Sequence, residues 1–357
     1  MLRTVSFLFA SLALATAYDC NGTVFLNAPS DLSQPTYFPS FWTENQTVPD
    51  LTKDQGCDIT VNIPTGVYAT VTFFRNFGTT AGTYVLYSNN KYKLISDNDL
   101  NPYVFTPPKF RLELGASSWQ NTTQFAFKVV WSKFPDMKQN IVNIYKGKPP
   151  VAVSGNADLT TFIADTNSLL SLMAFSLMDP SQEYLLRQTA VFAGDSINGE
   201  FVGTLGLILD SNQPITTYKN KMSVYTFGLS QTINYPLFMA QDAADARQTR
   251  AYKGFNCPST GNCNVTLFGN YGNSWTVSDF NSSEYVKDFS SFPDSASISV
   301  YENSISNTTC IATFTSSNYK SLVPLEVKGT MKFYALNGHG NVEMIVTRDT
   351  SRASRLL

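Results

Sequence analysis

The chain has 357 residues, of which 43% are hydrophobic, 13% are aromatic and only 15% are charged. Its formal net charge of −2 provides no basic surplus, which excludes nucleic acid and anionic lipid surfaces as expected partners. A chain of this length with so much apolar surface is expected to form two or three domains.

The first seventeen residues predict a secretory signal. One early positive charge, Arg3, precedes an apolar run, and small residues end the segment at Ala17, after which we expect cleavage. No later apolar stretch reaches the roughly 18 residues that a membrane helix needs. The tail at 351–357 is polar and lacks the pattern of a lipid anchor. The mature chain is therefore expected to be secreted and extracellular, without membrane insertion.

A secretory route also predicts N-glycans, which need Asn-x-Ser/Thr sequons. Their main expected effect is to solubilise the surface. Sequons in the mature chain occur at Asn21, Asn45, Asn121, Asn264, Asn281 and Asn307.

The first block, 18–135, is rich in strand patterns. Apolar and polar residues alternate on both sides of Pro64-Thr65-Gly66, and the Asn89-Asn90 pair between two strand patterns predicts a hairpin. Strand runs are predicted over 56–74, 83–88, 91–96, 102–114 and 124–131.

Two further β-rich units are predicted, over 136–253 and 254–350, and they could be continuous with each other. Their size, near 100 residues each, suits sandwich folds. Residues 136–159 carry a Gly-Lys-Pro-Pro step and predict an interdomain connection, and residues 239–250 are the best helix candidate. Strand runs are predicted over 160–165, 169–178, 188–194, 200–209, 221–229, 297–303, 309–316, 325–336 and 342–348.

Several motifs follow one another in the first block. Cys20 lies in YDCNGT just after the signal, and a second cysteine opens CDITVNIPTGVYATV at 57–71. The others are PTYFPSFW at 35–42, NPYVFTPPKF at 101–110 and FAFKVVW at 125–131. This ordered set resembles the nematode CUB-like domain proteins, closely from Cys20 to about Phe134 and loosely beyond, where FAGDSINGEFVGTLGLIL and KMSVYTFGL are similar to family segments.

The resemblance implies an all-β chain with a CUB-like jelly-roll β-sandwich at the N-terminus and one or two further β-sandwich-like units. It implies secretion and an association with innate immune responses to microbes. The family brings no catalytic residues and no cofactors with it.

Five cysteines remain in the mature chain. Cys20 and Cys57 are the only two in the first block, and a disulfide between them would close a loop of about 37 residues, a stabilisation of roughly 4 kcal/mol. Cys257 and Cys263 flank a turn-forming run and are the preferred second pair, with Cys263 and Cys310 as the rival. Cys310 is then expected to act as a small buried hydrophobe, with an intermolecular disulfide as the alternative.

The residues give little support to catalysis or metal binding. His339 is the single histidine, and its flanking glycines predict a loop, so a histidine-dependent triad or a Cys/His zinc site is not expected. No clustered carboxylate pair suggests a glycosidase. Weak calcium candidates are Asp97, Asp99, Asp195 and Glu200, although turn formation explains these acids equally well.

Aromatic residues offer the clearest binding candidates. Tyr37, Phe41 and Trp42 cluster before any predicted strand and could face a ligand or plug the core. We therefore expect a non-enzymatic recognition or adhesive module for an unknown protein or glycan, such as a microbial surface. The alternative is a structural extracellular component or toxin-like effector without a small ligand.

Overall fold

A computed structural model describes residues 17–77, 84–88, 91–95, 99–116, 123–136, 139–155, 158–227, 229, 233–247, 249–269 and 272–349. Predictions that concern the signal, Asn89-Asn90, Asp97, Asn121 and the tail at 351–357 lie outside these ranges. The described residues are mostly β and form three pairs of sheets, which we call the first, second and third sandwich. The chain divides into two compact units between Pro135 and Asp136.

The first sandwich has one sheet of order β1-β4-β9-β6-β7 and another of order β2-β10-β5-β8, with β3 also paired to β10. Alternate apolar residues such as Ile59, Val61, Val71 and Phe73 fill the space between these sheets. The strands are β1 (Gly22–Asn27), β2 (Thr36–Phe38), β3 (Asp50–Leu51), β4 (Gly56–Asn62), β5 (Val67–Phe77), β6 (Tyr84–Ser88), β7 (Lys91–Ile95), β8 (Tyr103–Phe105), β9 (Lys109–Gly115) and β10 (Thr123–Lys133).

Two predicted runs are divided between the facing sheets. The run 56–74 becomes β4 and β5, which Pro64-Thr65-Gly66 connects across the core. The run 102–114 is not one strand, because Pro107 and Pro108 interrupt it and proline has no N–H for a ladder. β8 and β9 therefore lie in opposite sheets.

The second sandwich pairs the sheets β11-β13-β18-β15-β16 and β12-β19-β14-β17. Its strands are β11 (Asn140–Ile144), β12 (Val151–Ser154), β13 (Leu159–Ala164), β14 (Leu170–Ala174), β15 (Ala190–Ala193), β16 (Glu200–Gly203), β17 (Ile215–Thr216), β18 (Lys221–Tyr225) and β19 (Pro236–Asp242). Its helices are a 3-10 helix (Pro180–Gln188), α1 (Leu205–Ser211) and α2 (Ala243–Ala246).

Three expectations about this region were wrong. Residues 136–159 are not a plain connection, since β11 and β12 pair there with strands of the two sheets. The run 200–209 ends as a strand at Gly203, because Thr204 caps α1 through its side chain. The helix candidate 239–250 is mostly not helical, since β19 continues to Asp242, which caps the four-residue α2.

The third sandwich pairs β20-β22-β27-β24-β25 with β21-β28-β23-β26. The predicted boundary at residue 253 lies inside its first strand. The elements are β20 (Ala251–Gly254), β21 (Asn262–Leu267), β22 (Ser274–Asp279), β23 (Glu284–Ser291), β24 (Ala296–Glu302), β25 (Cys310–Thr315), α3 (Tyr319–Leu322), β26 (Leu325–Val327), β27 (Met331–Gly338) and β28 (Val342–Thr347).

The second and third sandwiches share an apolar interface. Met173 and Phe175 of the second pack with Tyr252 and Phe333 of the third, all of them buried. Gly254 is required here, because a Cβ at this position would lie 2.2 Å from the Phe175 ring. The two sandwiches therefore belong to one compact unit.

Candidate functional site

The N-terminal segment is fixed to the first sandwich from Tyr18 onward. The buried Tyr18 hydroxyl donates to the Phe125 carbonyl at 2.8 Å, and the Tyr18 N–H donates to the Asp50 carbonyl at 2.8 Å. Cys20 is joined by a disulfide to Cys57 near the start of β4. These contacts attach the segment before β1 to both sheets, and neither cysteine is a free nucleophile.

The remaining cysteines are paired across a short turn, with one left over. A disulfide joins Cys257 to Cys263, and Cys310 is free. The expectation that Cys310 is buried was wrong, because it begins β25, an edge strand whose inward position is taken by Phe314. The third sandwich therefore presents a thiol to solvent.

The predicted aromatic cluster is mainly structural. Trp42 is only 1% exposed and packs edge-on against Tyr37 and tilted against Phe74, so it does not face a ligand. The cluster does not precede the sheet as predicted, since Tyr37 lies in β2 and pairs with β10. Of the three candidates, Phe41 alone is largely exposed, at 54%.

A more extensive surface lies on the outer face of the sheet that contains β1, β4, β9 and β6. Phe25 is opposite Thr60, Thr60 is opposite Arg111, and Arg111 is opposite Tyr87. Apolar neighbours along each strand, namely Leu26, Ile59, Leu112 and Leu86, pack in or against the core, so the four side chains form one row on the opposite face, where Thr60 is itself only 6% exposed. We call these four residues the outer-face row. Phe25 is 66% exposed at its end.

Arg111 is held in position at the centre of the outer-face row. Its guanidinium lies 2.6 Å from a Glu113 carboxylate oxygen, 3.6 Å from Asp58 and 4.2 Å from the centre of the Tyr87 ring. The Tyr87 hydroxyl donates to Glu113 at 2.9 Å, and this hydrogen bond raises the pKa of Tyr87. The arrangement orders an arginine and a tyrosine before any partner arrives.

The described sequons are all open to the solvent. Asn21 immediately precedes β1, and its side chain is exposed, as are those of the others. The remaining exposed sequon residues are Asn45, Asn264, Asn281 and Asn307. These five asparagines are therefore exposed on the surface, where a glycan would be attached.

The calcium candidates are engaged with donors from the protein. Asp99 accepts from the Asn101 N–H at 2.7 Å, and Glu200 accepts from the Tyr218 hydroxyl at 2.6 Å. Asp195 accepts from the Lys221 ammonium at 2.9 Å, which lowers the pKa of Asp195. Among the described residues, no three His, Cys, Asp or Glu side chains converge in a group that could hold a metal.

Catalytic geometry is also not evident in the described ranges. His339 is exposed between β27 and β28. The titratable cluster of Glu284, Lys332 and Tyr334 is completely buried inside the third sandwich, where a substrate has no access. None of the helices in the described ranges is long and apolar enough to cross a membrane.

Residues 15–135 match the family described as the CUB-like domain, which is 121 of the 357 residues. The first unit is therefore a CUB-like domain, a type of module that typically serves extracellular recognition or adhesion. No curated protein matches the chain.

Several solved structures are similar to this chain at low sequence identity. The CUB1-EGF-CUB2 domains of rat MASP-1 are 10% identical, with a TM-score of 0.24 over 61% of this chain and 99% of that one. The corresponding domain of human MASP-1/3 is 9% identical, with a TM-score of 0.22 over 55% and 96%. The full extracellular region of zebrafish Gpr126/Adgrg6 is 9% identical, with a TM-score of 0.25 over 94% and 53%.

The outer-face row was not predicted from the sequence. β1 was not predicted, although Val24 and Leu26 alternate with Thr23 and Phe25 there. The four residues of the row are scattered from residue 25 to residue 111, and only the strand register brings them together.

Proposed function

We propose that the chain is a secreted, glycosylated, non-enzymatic recognition module whose CUB-like domain binds a protein partner through the outer-face row. The observation that carries this proposal is the alignment of the exposed Phe25 with the half-buried Arg111 and Tyr87 on one sheet face. Arginine and tyrosine dominate the binding energy of many protein interfaces, especially when they are held rigid beforehand. A broad sheet face suits a protein better than a small molecule, which needs a concave site.

Secretion is supported by the signal-like N-terminus, the two disulfides and the five exposed sequons. A role in defence against microbes is supported by the resemblance to the nematode CUB-like proteins. A protein exposed on a microbial surface is the corresponding class of partner.

Arg111→Ala and Tyr87→Ala test this proposal in the full secreted chain. We would measure binding of the purified glycoprotein to arrays of extracellular proteins and to intact microbial cells, with unlabelled protein as competitor. Each variant should weaken saturable binding by about tenfold or more, the effect of losing an interface hot spot.

Leu100→Ala is the matched control, because Leu100 is an exposed apolar residue of the same unit outside the row. It should leave binding unchanged. If Phe41→Ala abolished binding while both row variants retained it, the N-terminal aromatic cluster would replace the row as the site. A complete lack of saturable binding would favour the structural or toxin-like alternative.

A further inference from the structure

The two sheets of the second sandwich are offset at one edge. β11 contacts β19 across the core and β13 contacts β14, whereas β12 lies beyond β19 at the edge of its own sheet and has no described strand of the opposite sheet over it. Val151 and the buried Val153 are two positions apart on β12, so both side chains point to the core side, yet Val151 is 38% exposed. One further strand beside β11 would cover this open part of β12.

β11 itself has an unpaired edge. Its residues, Asn140–Ile144, pair in parallel register with β13, and no described group outside β13 hydrogen-bonds to their backbone. An edge strand turns N–H and C=O groups away from its single neighbour, and these groups can pair with another extended chain. Val142 and Ile144 pack in or against the core, and Ile141 on the outer side is 57% exposed. The edge therefore offers both a hydrogen-bond ladder and apolar contact.

The other described edge strands carry protection that β11 lacks. β2, β8 and β26 have only three residues and β17 has two, while the pairings of β12 and β25 contain bulges. β7, β16 and β20 contain charged residues, and a sequon lies in β21 and directly before β1. β11 has five residues in regular register, without charge, proline or glycine, and 136–253 contains no sequon. Because proteins usually protect their sheet edges, an unprotected edge indicates that pairing there is used.

The turn after β11 adds positive charge next to this edge. Lys146 and Lys148 are exposed, and neither forms an ion pair with a described residue. The Gly147 N–H between them donates to the Asp245 carboxylate at 2.6 Å, which fixes the turn. The segment 140–151 contains no acidic residue. The two free ammonium groups favour a partner that carries carboxylates at the corresponding end.

We propose that an extended segment of a partner protein binds here as an added strand, with alternate apolar residues and an acidic end. Its backbone continues the ladder of β11, its apolar side chains cover Val151, and its carboxylates lie near Lys146 and Lys148. Strand addition of this kind obtains affinity from main-chain hydrogen bonds and specificity from alternate side chains. The site lies in the second sandwich, is separate from the outer-face row and does not depend on it.

The test is a fluorescence anisotropy titration of the full secreted chain against a labelled synthetic peptide, in which two aspartates precede alternating valine and threonine. We expect saturable binding with a Kd below about 100 μM. The same peptide with methylated backbone nitrogens keeps its side chains but cannot donate to a ladder, so it should bind at least about tenfold more weakly. Amide hydrogen exchange of 140–144 should slow when the unmodified peptide is bound.

Two variants locate the peptide on this edge. Val151→Asp should weaken binding by about tenfold or more, because it places a carboxylate against the apolar face of the added strand. The double variant Lys146→Glu/Lys148→Glu should weaken binding by about tenfold and reverse its dependence on salt, since attraction to the aspartates becomes repulsion. Both variants change exposed positions, so their melting temperatures should stay close to that of the parent.

Ile311→Asp is the matched control, because Ile311 is an apolar residue of the edge strand β25 and is 39% exposed, much like Val151. It should bind the peptide as the parent does. The proposal is overturned if no peptide binds at concentrations up to about 1 mM, or if the methylated peptide binds as tightly as the unmodified one. It is also overturned if the parent forms a dimer in analytical ultracentrifugation that Val151→Asp abolishes while the peptide does not bind, because a second copy would then occupy the edge.

Discussion

The first and third sandwiches are built from similar pairs of sheets, but the first core is mainly aromatic, with the buried Arg75 beside its Phe73 and Tyr84 rings, whereas the third buries two charges of opposite sign. In the first, Phe73, Phe125 and Phe127 are fully buried, and their rings lie about 6 Å apart, at 5.9 to 6.2 Å between centres. In the third, Glu284 and Lys332 are equally buried. An aromatic core is stabilised by buried apolar surface, to which many side chains contribute. The stability of a buried polar cluster instead depends on each of its hydrogen-bonding and charged members.

The polar cluster of the third sandwich connects its two sheets. The Ser278 hydroxyl donates to Glu284 at 2.6 Å, and the Tyr334 hydroxyl lies 3.4 Å from the same oxygen. Lys332 donates to the Phe280 carbonyl at 2.8 Å. Burial raises the pKa of Glu284 and lowers that of Lys332, and the attraction between the two charges opposes both shifts. Each charge is therefore needed while the other is present.

The largest expected effect comes from removing one member of this cluster. Lys332→Met should lower the free energy of unfolding by up to about 5 kcal/mol, because it leaves the Glu284 carboxylate buried without its countercharge. Phe127→Leu in the first core should cost only about 1 kcal/mol, since the neighbouring aromatic rings adjust to a smaller apolar side chain. Urea denaturation followed by tryptophan fluorescence measures both.

The double variant Glu284→Leu/Lys332→Met is the control for Lys332→Met. It should recover most of the lost stability, because buried charges of opposite sign are often replaceable together by apolar residues of similar volume. A double variant as unstable as the single one would mean that the cluster acts through packing, and the contrast between the two cores would disappear.

The disulfide of the first sandwich should stabilise the protein more than the disulfide of the third. Cys20–Cys57 in the first sandwich spans 37 residues, and Cys257–Cys263 in the third spans 6. The chain-entropy estimate gives about 4 kcal/mol for the longer loop and about 2 kcal/mol for the shorter one. Paired Cys→Ser variants measured by chemical denaturation test this order, and equal losses would contradict it. Peptide mapping without reduction should recover the same two linkages.

A smaller effect should appear in the pH dependence of stability. The folded-state pKa of Glu284 lies above its ordinary value of 4.5, so the native state binds the proton more tightly than the unfolded chain. Its contribution to stability is therefore fully present below pH 4.5 and is lost as pH rises through the raised pKa. We would measure the unfolding free energy of the parent minus that of Glu284→Gln from below pH 4.5 upward. This difference should decrease as the pH rises. A difference that stays flat would contradict the assignment.

The contrast between the two cores also explains which structural features could be predicted from the sequence. The first core follows from strict alternation, so Ile59, Val61 and Phe73 could be placed in advance, as could the all-β fold class. In the sequence, Glu284 and Lys332 look like ordinary surface residues of strands. They become buried only because the two sheets that carry them face each other. The division of a run between sheets, as at Pro107-Pro108, likewise depends on tertiary pairing. Binding surfaces assembled from distant strands have no local signal.

The smallest effect on stability is expected at Cys310. Both cysteines of the first unit are bonded to each other, whereas the third sandwich keeps one exposed thiol on an edge strand. Iodoacetamide should therefore label the native protein once, at Cys310, and mass spectrometry of the digested product should find the label there. Cys310→Ser should abolish labelling and change the unfolding free energy by less than about 0.5 kcal/mol, as for most exposed sites. Labelling of Cys257 or Cys263 instead would mean that the third sandwich pairs its cysteines differently, and its short-loop disulfide would then no longer be comparable with the long loop of the first.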